Sequence, residues 1–198
     1  MGLIARLDHA LKPWHVAGVN LAAIAWFAGV TIFGRAALPS VALLRCPVGF
    51  CAGGYPPEEL FSLLDEVGEE GRRFLHDSMV WGDIVLPMLF LLAFVIDILW
   101  FSRPGARVSV PLQPMARLGL LLVPLLYFCA DYMENAALER MLRVYPDLED
   151  VMAERASLLT AAKSQLFAAS AGIAMALAIA AWGINLRSRA GERPRIER

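Results

Sequence analysis

The chain has 198 residues, 58% of them hydrophobic, with a mean hydropathy of +0.55 and a formal net charge of -1. That balance is too apolar for an ordinary soluble domain of this length and reads as one membrane domain over residues 1–198. Near-zero net charge, with no basic stripe interleaved with aromatics, excludes a nucleic-acid partner and leaves the lipid bilayer as the expected one.

A helix needs about 20 largely apolar residues to cross the hydrocarbon. The first such run, 16–38, follows a basic stretch with Arg6 and Lys12. It exceeds the h-region of a secretory signal, and Gly34-Arg35-Ala36-Ala37 puts a charge where cleavage would fall, so an anchor is expected.

Residues 39–78 form the first outer loop. Cys46 and Cys51 enclose a short Pro/Gly turn there, and an oxidising compartment would allow a structural disulfide. The alternative is a redox-active pair of the vitamin K epoxide reductase kind, against which stand a spacing other than Cys-x-x-Cys and the lack of a second pair. Pro57 with Glu58 and Glu59 then marks a helix start, since proline suits the first turn and carboxylates complement the dipole. Leu60, Leu63, Leu64 and Val67 recur at i, i+3, i+4 and i+7. They predict an amphipathic helix over 57–67, lying on the outer membrane surface or over the bundle and ended by Gly68 and Gly71.

The second span is predicted at 79–101, the third at 118–138 and the fourth at 158–186, before a tail of 187–198. Pro104, Gly105, Pro111 and Pro114 separate the second from the third, and Tyr145-Pro146-Asp147 the third from the fourth. The expected fold class is therefore all-α: a four-transmembrane-helix bundle with a short amphipathic helix in its first outer loop. Positive charges stay cytoplasmic during insertion. Arg6, Lys12, Arg103, Arg107, Arg117, Arg187, Arg189, Arg193, Arg195 and Arg198 all fall at the N-terminus, in the middle loop or in the tail, so both termini are expected in the cytoplasm of a cell with the chain in its inner membrane.

Ionisable groups inside the spans carry the functional signal, because each costs about 2.5 to 3.5 kcal/mol to insert and needs a partner or a wet cavity. Asp131, Glu134 and Asn135 stand at i, i+3 and i+4, with Tyr132 among them and Tyr127 one turn earlier; Thr160 and Lys163 stand at i and i+3, with Ser164 and Gln165 beside them. Asp83 and Arg35 lie near the outer ends of their spans. Opposite helix directions bring all of these to one layer in the outer half. Pro87 adds to it, since a helical proline leaves the carbonyl four residues earlier, that of Asp83, without its usual donor. Pro124 frees the Leu120 carbonyl in the same way, nearer the inner half.

Two readings fit. In one, Lys163 pairs with Asp131 or Glu134 and Arg35 with Asp83, and the network fixes helix packing. In the other, the layer lines an outward-opening pocket that binds a small amphipathic or lipid-like ligand, handles protons or holds a cation, with Asp131 or Glu134 able to give or take a proton and Tyr132 and Tyr127 at its sides. No metal or other cofactor is expected: Asp131 and Glu134 lack the Glu-x-x-His of a di-iron bundle, and His9 and His15 lie on the other side of the membrane from His76. Ala168, Gly172, Ala176 and Ala180, and Ala25 with Gly29, read as close helix seams within the chain; Cys129 reads as a small buried hydrophobe, and Asn20 and Asp97 as isolated. The sequence identifies neither a reaction nor an oligomeric partner.

Pro57-Glu58-Glu59, Leu63-Leu64-Asp65, Gly68-x-x-Gly71-Arg72, Asp83 with Pro87, Asp131-Tyr132-x-Glu134-Asn135 and Ser157 with Thr160-x-x-Lys163 together resemble a group of uncharacterised four-helix bacterial integral membrane proteins. The resemblance runs over 55–163 and implies fold and topology, not an activity. Cys46 and Cys51 lie outside its pattern.

Overall fold

A computed structural model of the chain describes residues 3–37, 53–104 and 108–191. Cys46 and Cys51, with the disulfide expected of them, lie outside the described residues, and Arg35 is described through its backbone alone. Every element among the described residues is helical: α1 (Leu3–Ala10), α2 (Pro13–Ala37), α3 (Pro57–Glu66), α4 (Gly68–Trp81), α5 (Val85–Phe101), α6 (Pro114–Val144) and α7 (Asp150–Gly191). Prolines open α2, α3 and α6, where the missing N–H would be unsatisfied in any case.

Pro13–Phe33, Pro114–Val144 and Asp150–Ser188 are long and apolar enough to cross a membrane. The fourth predicted span, 79–101, is interrupted. Its apolar part is α5, 17 residues long and so about 26 Å, a little under the roughly 30 Å of hydrocarbon. The break falls at 82–84, where the Ser78 carbonyl accepts both the Gly82 and Asp83 N–H groups at 2.7 and 3.2 Å. Pro87 accounts for it, because the proline ring collides with the carbonyl four residues back and so disfavours helix through Asp83. A second correction concerns the loop. Gly68, at φ +65°, ends α3 as expected, but Gly71 is buried inside a further helix, α4, which takes up residues 68–78 of the expected loop and the first three of the expected second span.

The two longest helices form an antiparallel hairpin whose register pivots on Asp147. Glu134 faces Thr160, Asp131 faces Lys163, and the rings of Tyr127 and Phe167 meet at 5.5 Å; each pair is equidistant in sequence from that residue. The same rule sets Leu138 with Ala156 and Met141 with Ala153 in one apolar core. At 1.5 Å per residue α6 is about 46 Å long and α7 about 63 Å, so the hairpin outruns the hydrocarbon. Leu60 and Leu64 of α3 complete the core at its overhanging tip. The amphipathic helix thus rests on the bundle. Tyr145 donates a hydrogen bond to Asp65, the Arg72 guanidinium lies 3.9 Å from the Tyr145 ring centroid, and Arg72 caps α3 through the Leu64 carbonyl at 2.7 Å. α5 packs against α2, α6 and α7, and α4 leans on α6.

The opposite end has a polar lock of its own. Arg117 is buried; its guanidinium holds Asp8 of α1 at 2.6 and 2.8 Å, the Ser102 hydroxyl at 3.0 Å and the Leu99 carbonyl at 3.2 Å. Asn20 and Asp97, read from sequence as isolated, are partners: the Asn20 amide donates to the Asp97 carboxylate at 2.9 Å and joins α2 to α5. The seam expected at Ala168, Gly172, Ala176 and Ala180 is overturned, since all four are exposed and nothing lies within 4 Å of a Cβ built on Gly172. The buried stripe of α7 is Lys163, Ser170, Ala174, Leu177 and Ala181. Ala25 and Gly29 are likewise exposed, and so is Cys129, which is no core residue.

Candidate functional site

The site begins with the hairpin register. Because α6 and α7 run antiparallel about Asp147, the i, i+3 carboxylates of one meet the i, i+3 Thr160 and Lys163 of the other. The Lys163 ammonium is 3.1 Å from the Asp131 carboxylate and also pairs with Glu134. Thr160 donates to Glu134, and its hydroxyl lies 3.0 Å from the Ala156 carbonyl and 3.3 Å from the Tyr55 hydroxyl. Glu134 and Thr160 are completely enclosed, and Asp131 and Lys163 nearly so. A charge group removed from water this far persists only with its partners in contact, so the cluster dictates how the two helices face each other.

Beside this cluster is a cavity of about 100 Å³. Asp83, Asp131, Glu134, Asn135, Lys163 and Ser164 supply its polar wall; Leu75, Leu86, Pro87 and Leu138, with Tyr127 and Phe167, supply the apolar one. It has room for several waters or one compact headgroup. The Asn135 amide donates to the Asp131 carboxylate at 3.3 Å and reaches the Asp83 carbonyl, the acceptor freed by Pro87, at 3.5 Å. Three carboxylates and one ammonium border the cavity. Among the described residues the Asp83 carboxylate takes part in no ion pair or hydrogen bond, and the Ser164 hydroxyl is buried without a hydrogen-bond partner.

Below the cavity the rings close ranks. Phe167 meets Phe90, Phe94 and Tyr127 at centroid distances of 5.0, 5.5 and 5.5 Å, each edge to face or tilted steeply, an arrangement that favours ring quadrupoles. Above it, α4 contributes Leu75 and Ser78, whose hydroxyl is turned back onto the Leu75 carbonyl at 2.9 Å. Tyr55 pins the loop before α3 to α7: its N–H donates to the Ser157 hydroxyl at 2.8 Å. Burial pushes the Tyr55 phenol above its ordinary 10.0, and the charge of Glu134 adds to the effect against the hydrogen bond with Thr160, so it stays protonated.

Of the residues singled out from sequence, Asp83, Asp131, Glu134, Asn135 and Lys163 meet at the cavity, and Thr160 stands behind it. Tyr132 does not line it. Its hydroxyl donates to the Ile84 carbonyl at 2.8 Å and steadies the turn between α4 and α5. The Arg35 side chain lies outside the described residues, so the expected pairing with Asp83 has no described geometry. Sequence reasoning missed Tyr55, Leu75, Ser78 and Phe167, and noticed Ser164 only as a neighbour of Lys163. Phe167 was findable, since it stands as far after Asp147 as Tyr127 stands before it. The chain matches no protein-family model, no curated protein and no solved structure.

Proposed function

We propose that this chain is a four-span inner-membrane protein, with α2, α5, α6 and α7 as spans and both termini in the cytoplasm, whose cavity beneath α4 receives the polar end of a small amphipathic ligand. Arg103, Arg117 and Arg187 gather at the end away from the α3 cap, as cytoplasmic retention of positive charge requires, and α5 with the 82–84 turn has nearly the reach of a span. The observation that carries the ligand reading is the mixed wall of the cavity: charged groups in excess of their partners on one side, leucines and rings on the other. No reaction is assigned.

Native mass spectrometry of the protein extracted in a non-ionic detergent tests this. A small amphiphile is expected on the unaltered chain and absent from Ser164→Phe, whose ring fills the cavity. Equal occupancy of both, or none on either, counts against the site.

A second reading has its own support, the full enclosure of Glu134 between Lys163 and Thr160. In it the chain is an assembly subunit and the charges serve packing alone. Both readings hold for Glu134 as a packing residue; they part over Asp83 and Ser164.

A further inference from the structure

We infer that the group this cavity accepts is a compact primary ammonium, with Asp83 as its counter-ion and Ser164 as a further acceptor. The inference rests on the reading of the cavity as a ligand site and names the chemistry of the ligand.

The first step is the charge balance. Asp83, Asp131 and Glu134 border one space, and the single cation on its wall among the described residues, Lys163, is already spent on two of them: its ammonium is 3.1 Å from Asp131 and in contact with Glu134. An anionic headgroup would therefore meet surplus negative charge and no uncommitted cation. A cationic one completes the balance. The cost of holding an ionised carboxylate in a span without a partner is the driving force for filling the place opposite Asp83 with a positive group.

The second step is the hydrogen-bond inventory. Among the described residues, two of the wall's donors are engaged: Asn135 donates to Asp131 and Ser78 to the Leu75 carbonyl. Acceptors are left over on Asp83, and the Ser164 hydroxyl, in a residue only 8% exposed, has no hydrogen-bond partner among the described residues. A primary ammonium carries three donors and no acceptor, the complement of this wall. A buried hydroxyl without a partner is costly, so Ser164 is explained by a guest that supplies the missing contact.

The third step separates an ammonium from a metal ion. Among the described residues no three carboxylate, imidazole or thiolate side chains converge as a metal would require. The carboxylates are instead spread around a space of about 100 Å³, which suits a charged group of several atoms. Leu75, Leu86 and Leu138 on the apolar wall suit the methylenes behind it. The source is either the headgroup of an aminophospholipid or a free long-chain amine.

The test titrates dodecylamine, dodecan-1-ol and dodecanoate onto the detergent-solubilised full-length protein, read by native mass spectrometry, with short-chain phosphatidylethanolamine and phosphatidylcholine as further probes. Dodecylamine is expected to bind about tenfold or more tightly than the alcohol, the margin of a charge-assisted contact, with dodecanoate weakest. Asp83→Asn should lower amine affinity to that of the alcohol, and Ser164→Phe should abolish binding of both. Ethanolamine lipid binding in preference to choline lipid identifies the membrane as the source; amine binding without lipid binding identifies a free amine. If the alcohol binds as well as the amine and Asp83→Asn changes nothing, the ammonium is wrong while the cavity stands. If no probe binds in a manner sensitive to Ser164→Phe, both fall. If Arg35→Gln destabilises the protein and Asp83→Asn restores it, the counter-ion of Asp83 belongs to the chain and the inference is overturned. Should Asp83→Asn fail to fold, amine against alcohol on the unaltered chain decides.

Discussion

The guanidinium of Arg117 grips both oxygens of Asp8, at 2.8 and 2.6 Å, and so fastens the short first helix to α6 at the end of the bundle away from the cavity. Removing one member of such a pair strands the other in a buried place. Asp8→Asn is expected to lower stability by about 3 kcal/mol, and Arg117→Met combined with Asp8→Leu to recover most of it, as measured by unfolding in a mixed-detergent titration. A loss in the double variant equal to the sum of the losses in Asp8→Leu and Arg117→Met alone would show that the pair is not coupled.

Lys163→Met leaves Asp131 and Glu134 buried side by side. A loss of about 3 to 5 kcal/mol is expected in the same assay, largely restored when Asp131→Leu and Glu134→Leu are added. The compensated triple variant then reports on function: if any phenotype of the unaltered chain persists in it unchanged, the carboxylates serve packing alone.

Gly54 sits at φ +74°, and a Cβ there would lie 2.5 Å from the Ser157 hydroxyl oxygen. Gly54→Ala should cost about 1 to 3 kcal/mol and displace the loop that Tyr55 anchors. Hydrogen exchange is expected to rise over 53–66 with α6 and α7 unaffected below the cap.

Two tyrosines of the cap give it an alkaline limit. Burial raises Tyr55, and the hydrogen bond to Asp65, followed by burial and the charge of Asp65, raises Tyr145. A group whose folded value lies above its unfolded 10.0 contributes stability that is complete below pH 10 and lost as pH climbs through the folded value. Cap unfolding should therefore set in above pH 10, and Tyr55→Phe with Tyr145→Phe should flatten that limb. Tyrosinate absorbance measured alongside stability checks the assignment.

The proposed four-span topology predicts that alkaline phosphatase inserted at Asp147 is active and fused after Gly191 is inactive. The reverse pattern would invert the protein, and activity at both sites would remove a span.

Much of the site could be read from the sequence because it depends on local periodicity. Asp131, Glu134 and Asn135 share a helix face by spacing, Thr160 and Lys163 share another, and a short turn at Pro146 leaves an antiparallel hairpin as the economical way to join them. Pro87 has two effects, of which the freed Asp83 carbonyl follows from the sequence alone and the helix break at 82–84 is seen only in the structure. What escaped were pairings between residues far apart in the chain. Nothing near Asn20 or Arg117 announces Asp97 or Asp8, since those contacts come from how α1 and α2 lie across α5 and α6. The stripe of small residues on α7 misled for a rotational reason. Ala168 and Gly172 sit one residue on from Phe167 and Ala171, about 100° around the helix, and it is the neighbouring stripe that packs inward.

The cluster of Phe90, Phe94, Tyr127 and Phe167 gives the cavity a direction. Among the described residues its floor is four packed rings, of which only Tyr127 carries a polar group. On the proposed ligand reading the chamber is a cul-de-sac, suited to holding a guest and releasing it by the side it entered.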